Sequence, residues 1–226
     1  MKRYDLVFLI LAGFFVASLV LANAFVFKFI DVPLPIIGVA TISLGVLPYP
    51  ITFLCTDLIS ELYGKKRADA MVITGAAVMA YMLVLLEVGK AVPVSHLQDE
   101  ATQEHFLAVF GQSTRAIIAS VMAYLMAQLI DVRLYHFWRK LTGGRHLWLR
   151  NNASTMLSQL IDTCAVVTIL FYGVWSWSAI GAVIAASYVF KLLVAAADTP
   201  LMYVATSLLS DIQDESRRRG LIHEAD

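Results

Sequence analysis

Charge is scarce in this chain. Only 15% of its 226 residues are Asp, Glu, Lys or Arg, and 17 basic residues cancel 17 acidic ones. A soluble domain carries about 25% charged residues. The hydrophobic share of 59% is more than one core could bury, so lipid must be the solvent for much of the surface. That excludes a soluble enzyme, and the zero net charge excludes a nucleic-acid binder that works through a basic stripe. Cysteine is nearly absent. Cys55 and Cys164 lie in apolar runs without Cys-x-x-Cys spacing, which excludes a disulfide scaffold and a zinc site. The motifs of intramembrane hydrolysis are also missing: there is no Gly-x-Gly-Asp and no His-Glu-x-x-His, and none of the five His falls in the core of an apolar run. No catalytic residue, metal ligand or cofactor is therefore assigned.

What the chain does have is long apolar runs. Lys2 and Arg3 precede Leu6–Phe27, about 22 residues without a charge and too long for a cleavable signal, whose apolar region is ~7–15 residues. Further runs follow at Thr41–Tyr63, Ala70–Val92, Ser113–Phe137, Ala153–Trp175 and Trp177–Leu209. Six spans of roughly 20 residues each predict an all-α membrane protein with six transmembrane helices over 1–209 and a polar cytoplasmic tail over 210–226. Entry to the second span is crowded with Pro33, Pro35, Pro48 and Pro50. Proline removes a backbone donor, so a broken or re-entrant segment lining a cavity is expected there.

Basic residues set the expected topology. Lys2, Arg3, Lys65, Lys66, Arg67, Arg139, Lys140, Arg145, Arg150 and Arg217 to Arg219 all fall on one side of the six-span scheme, which places both termini in the cytoplasm. Trp138, Trp148, Trp175 and Trp177 fall at predicted boundaries, where interfacial aromatics belong. Between Pro93 and Gln112, Phe106, Leu107 and Phe110 recur at helical spacing, as in a lid or an interfacial helix.

The polar residues that interrupt the runs carry the functional signal. An ionisable group at the centre of a span costs about 2.5–3.5 kcal/mol on insertion scales, so it faces the bundle interior and marks a site by default. These residues are Asn23, Asp57, Glu61, Glu87, Lys90, Arg115, Gln128, Asp131, Gln159, Asp162, Lys191 and Asp198. Gln128-Leu129-Ile130-Asp131 recurs as Gln159-Leu160-Ile161-Asp162. On antiparallel helices rising 1.5 Å per residue, Asp131 and Gln159 lie about 9 Å deep, and Gln128 and Asp162 about 14 Å deep. Each amide is then level with the other helix's acid. A carboxylate accepts two parallel N–H donors and an amide offers one donor beside one acceptor, which together complement a guanine-like edge. Tyr124 is placed to stack on such a ring. Sugars, amines or plain helix–helix hydrogen bonding would satisfy the same groups. Asp57 and Glu61 share a helix face; Glu61 reads as a brace or gate bonded to Lys65, Lys66 or Arg67, and Asp57 is open to proton carriage. Lys191 needs a counter-ion, with Asp131, Asp162 and Asp198 as choices.

Several of these residues stand in blocks that resemble a known family. Tyr49–Ala68 (YPITFLCTDLISELYGKKRA) resembles the signature of the queuosine precursor transporters, within the vitamin uptake transporter group. Leu21–Lys28, Arg115–Val132, Arg150–Thr163 and Lys191–Tyr203 are similar to further blocks in the same order. The resemblance implies an inner-membrane importer of 7-cyano-7-deazaguanine and 7-aminomethyl-7-deazaguanine, working without an attached ATPase. It also implies a fold similar to the substrate-binding subunits of energy-coupling-factor transporters. It marks Asn23, Asp57, Glu61, Arg115, Gln128, Asp131, Gln159, Asp162 and Lys191 as motif positions without dividing ligand contacts from structural ones. The alternatives are a binding subunit lent to a shared ATPase module, docking through Ala195–Ala197 or Gly181–Ala186, and an intramembrane enzyme. The expected partners are the small heterocycle and the bilayer, with no nucleic acid; a homo-oligomer is compatible with the sequence.

Overall fold

The structure is a computed structural model that describes residues 2–34, 38–99, 101–111 and 114–222, the last with side chains from 121 onward. Helix α1 (Arg3–Ala24) leads into a two-stranded antiparallel hairpin of β1 (Phe29–Leu34) and β2 (Gly38–Ser43), in register from Phe29 opposite Ser43 to Leu34 opposite Gly38. A 3-10 turn (Leu44–Val46) follows, then α2 (Tyr49–Tyr63), α3 (Lys65–Ala91) and the short α4 (Ala101–Phe110). The remainder is α5 (Thr114–Leu141), α6 (Leu147–Phe171), α7 (Trp177–Leu208) and α8 (Ser210–Arg218).

The six-span expectation is corrected. Among the described residues, four helices, α1, α3, α6 and α7, are long and apolar enough to cross a membrane. The chain is a multi-pass, all-α membrane protein apart from its hairpin. Helix α2 has 15 residues, short of the ~20 needed to span. Proline at its first turn and the strand before it take up the rest of the Thr41–Tyr63 run. The part of α5 whose side chains are described carries Gln128, Asp131, Arg133, Arg139 and Lys140. These two polar helices pack on each other and on the spanning ones, with α5 against α3 and α6, and α2 against α1, α3 and α7.

Burial follows the same division. Only 22% of the apolar windows of α1 and α3 is buried, and large side chains such as Phe14, Leu9, Ile73 and Val84 face outward. Eleven of the 15 residues of α2 are buried, Asp57 and Glu61 among them. The main core joins Phe15 and Leu19 of α1, Ile59 and Leu62 of α2, Met71 and Met79 of α3, and Tyr124 of α5. A second core seats Leu34, Ala40 and Ile42 of the hairpin on Ala186 of α7.

Two glycines let backbones close up. A Cβ on Gly45 would lie 2.4 Å from the Ala22 carbonyl oxygen, so only glycine lets the 3-10 turn rest on the end of α1. Gly64, at φ +82°, turns α2 into α3, and a Cβ there would strike the Leu221 carbonyl. The tail thus docks against this turn. Helix α8 buries Ile212 and Ser216, and Ile222 is buried beyond it.

Candidate functional site

The interior polar residues divide into three groups. The first surrounds Glu61 of α2. Arg150 of α6 reaches it at 2.7 Å and Arg139 of α5 at 3.5 Å, while Tyr135 donates to it at 2.9 Å. Gln213 of α8 donates to its other oxygen at 2.8 Å. Glu61 is thus held, but by arginines remote in sequence and by the tail rather than by Lys65, Lys66 or Arg67. It is a saturated brace. Glu61 and Arg150 form a buried charge pair whose remaining hydrogen-bonding positions are filled, the condition for such a pair to be tolerated.

One turn back on α2 lies the second group. Asp57 and Asp131 face each other. Thr155 donates to Asp57 at 3.5 Å and Ser158 to Asp131 at 2.8 Å. The Ser158 contact sets α5 and α6 in the antiparallel register expected of the repeated Gln–Asp motif. The amides do not reach across to the acids as hydrogen-bond partners, however. Gln128 donates to Thr52 at 3.4 Å, and the Gln159 side-chain oxygen is buried without a partner.

The third group lines a cavity of about 50 Å³ between α1, the hairpin and 3-10 turn, α2, α6 and α7. Of the four repeated Gln and Asp residues, only Asp162 lines it, together with Asn23, Tyr49, Thr163, Ser187 and Lys191. Lys191 donates to Asp162 and to Thr163, both at 3.0 Å, and its ammonium lies 4.7 Å from the centre of the Tyr49 ring. The second Asp162 oxygen is buried without a partner. Phe29 and Phe171 form the apolar side, backed by Trp175, which stacks on Phe171 at 3.9 Å. Phe29, Tyr49, Thr163 and Phe171 escape a search for charge inside apolar runs. The available signal was Tyr49, which heads the Tyr49–Ala68 block and stands between the two prolines, Pro48 and Pro50, that open α2.

Other expected residues lie elsewhere. Tyr124 is buried in the α1–α3–α5 core, where its hydroxyl donates to the Val72 carbonyl at 3.3 Å and its ring approaches Phe15. Arg115 belongs to α5, but its side chain is outside the described residues. Glu87 pairs with Lys90 near the end of α3, and Asp198 is half-buried on α7. Among the described residues no three His, Cys, Asp or Glu side chains gather as metal ligands.

The comparisons bear on this arrangement. Residues 43–205 match the model of a family described as "Putative vitamin uptake transporter". The chain belongs to that family. The chain is similar to a "Queuosine precursor transporter" of Escherichia coli K12, 27% identical over 200 residues that cover 85% of each chain. A "Probable queuosine precursor transporter" of Bacillus subtilis 168 is 28% identical over 178 residues, 78% of this chain and 76% of that one. Another "Probable queuosine precursor transporter", of Haemophilus influenzae, is 29% identical over 157 residues, covering 66% and 62%. No solved structure matches the chain significantly. The family match begins at the last residue of β2 and runs through α2 to α6 and most of α7, so it takes in all three polar groups apart from Asn23, Phe29 and the tail.

Proposed function

We propose that this chain imports queuosine precursors, 7-cyano-7-deazaguanine and 7-aminomethyl-7-deazaguanine, across the inner membrane without changing them chemically. In this reading it is a stand-alone secondary transporter or facilitator. The observation that carries the reading is the buried Asp162–Lys191 pair, with one carboxylate oxygen unmet, at the wall of a cavity that has aromatic rings on its other side.

The chemistry fits a deazaguanine. Its N–H and exocyclic amine present two parallel donors, which a carboxylate accepts well. Lys191 and Asn23 supply donors for the ring carbonyl. Phe29 and Phe171 offer flat apolar contact, which such a ring needs once it leaves water. Gln128 and Gln159 stand behind this wall as positions that shape it, and Glu61 braces the far end of α2. A cavity of about 50 Å³ is well below the ~300 Å³ of an ordinary ligand site, so the ring enters only when an element of the cavity wall moves away. The names of the relatives, queuosine precursor transporters, support this choice of substrate class.

Both termini are assigned to the cytoplasm. Lys65, Lys66, Arg133, Arg139 and Lys140 line one cleft of about 530 Å³, and Arg3 pairs with Asp211 of the tail. Basic groups therefore gather at the end of the bundle that holds the tail, as the positive-inside tendency requires.

Uptake of labelled 7-cyano-7-deazaguanine by the purified protein in liposomes, without ATP, tests the reading. Exchange of external for internal substrate is expected. Its absence, with exchange appearing only when an ATPase module is added, would favour a binding subunit instead.

A further inference from the structure

Buried charge in this bundle does not balance. Among the described residues four carboxylates are buried, Asp57, Glu61, Asp131 and Asp162, against three cations, Arg139, Arg150 and Lys191. Both arginines sit on Glu61, and Lys191 sits on Asp162. The Asp57–Asp131 pair is left without a cation of its own. Two oxygens of the pair, Asp57 Oδ1 and Asp131 Oδ2, are buried without a hydrogen-bond partner. An isolated buried charge costs many kcal/mol, and two facing carboxylates cannot both be ionised cheaply.

The remaining groups around the pair do not cure the deficit. On α6, Thr155 and Ser158 are neutral donors and Arg150 is engaged by Glu61. On α5, Tyr135 donates to Glu61. His136, five positions past Asp131, is turned about 140° round the helix and lines the basic cleft. Arg115 is 16 residues away along α5, about 24 Å. Helix α8 offers Gln213, which is bonded to Glu61, while Tyr4 of α1 and Arg67 of α3 cluster on the Tyr63 ring.

We propose that Asp57 and Asp131 together hold one transported proton, and that substrate import is coupled to its passage. A single proton between the facing oxygens supplies the missing positive charge and needs no cavity, and neither residue lines the cavity at Asp162. Helix α2 carries Asp57 and lines the cavity, and α6 lines the cavity while its Thr155 and Ser158 bond the two acids. Asp162 lies one turn beyond Ser158 on α6, about 6 Å along the axis. On α2, Tyr49 lines the cavity, and the Thr52 hydroxyl bonded to its carbonyl receives Gln128. A shift of α2 that opens the cavity therefore moves Asp57 relative to Asp131 and separates or rejoins the dyad. This step rests on the import reading above.

The test is accumulation of 7-cyano-7-deazaguanine in proteoliposomes. A pH difference of one unit, acid outside, sustains about a tenfold accumulation at one proton per substrate. Asp131→Asn is expected to abolish that accumulation while retaining substrate exchange at equal pH. A pH-sensitive dye trapped inside is expected to report acidification of the wild-type vesicles as substrate enters, a readout that survives if Asp131→Asn fails to fold. Accumulation that ignores the pH difference, that follows a sodium gradient instead, or that persists in Asp131→Asn would overturn the dyad. Failure of wild-type exchange itself would overturn the import reading rather than the coupling.

Discussion

Glu61 and Asp162 are both buried carboxylates paired with buried cations, yet their surroundings differ. Glu61 has two arginines, a tyrosine hydroxyl and a glutamine amide, drawn from α5, α6 and the tail. Asp162 has one lysine, and its second oxygen meets nothing. A saturated acid has no capacity left for a ligand; it ties elements together. An unsaturated acid beside a cavity is costly to leave as it is, which is how binding sites store affinity for a partner. On the proposed import reading, the interior separates into a brace at the tail end and a receptive site at the hairpin end, with the Asp57–Asp131 pair between them.

This contrast can be broken at either end. The largest stability effect is expected from Arg150→Ala, which leaves Glu61 buried with only the more distant Arg139. A loss of about 3–5 kcal/mol is anticipated, read as collapse of membrane abundance and of thermal stability in detergent. If Arg150→Ala were stable and only transport suffered, Glu61 would be part of the receptive site and the contrast would fail. Asp162→Asn is expected to shift the balance the other way: Lys191 keeps Thr163 and the Tyr49 ring, so stability falls less than in Arg150→Ala while uptake is reduced at least tenfold. A Gly45→Ala change drives a methyl group into the Ala22 carbonyl and is expected to cost about 1–3 kcal/mol, as overpacking does, with the cavity wall displaced and the apparent KM raised. The smallest effect belongs to Arg3→Ala. Its bridge to Asp211 is more than half exposed, so no more than about 1 kcal/mol should separate its melting curve from wild type.

Much of this was legible before the fold was known, because lipid imposes simple rules on composition. Apolar runs predicted helices in nearly the right places. The same rule overcounted spans. Thr41–Tyr63 is apolar enough to suggest a crossing, but its prolines and its hydrogen-bonding pattern divide it into strand, turn and a buried 15-residue helix. A hydropathy run cannot tell lipid-facing apolar surface from apolar surface packed on other helices. The Gln–Asp repeat pointed correctly to antiparallel neighbours at matched depth, yet helix rotation separated its members: Asp131 turned toward Asp57, Asp162 toward the cavity, and Tyr124 into the core. The aromatic wall carried no charge to betray it. The tail looked like plain solvated chain because Ile212 and Gln213 acquire meaning only from where α2 ends.

Composition and spacing alone therefore decided the solvent, the helical character, the family resemblance and which side chains were too costly to be accidental. Those features depend on transfer free energies and periodicity, which are local properties of the chain. Which acid is braced, which is left with an open oxygen, and which two share a space without a cation were decided only by packing. Each of those outcomes depends on contacts between residues 27 to 152 positions apart, and nothing local specifies them.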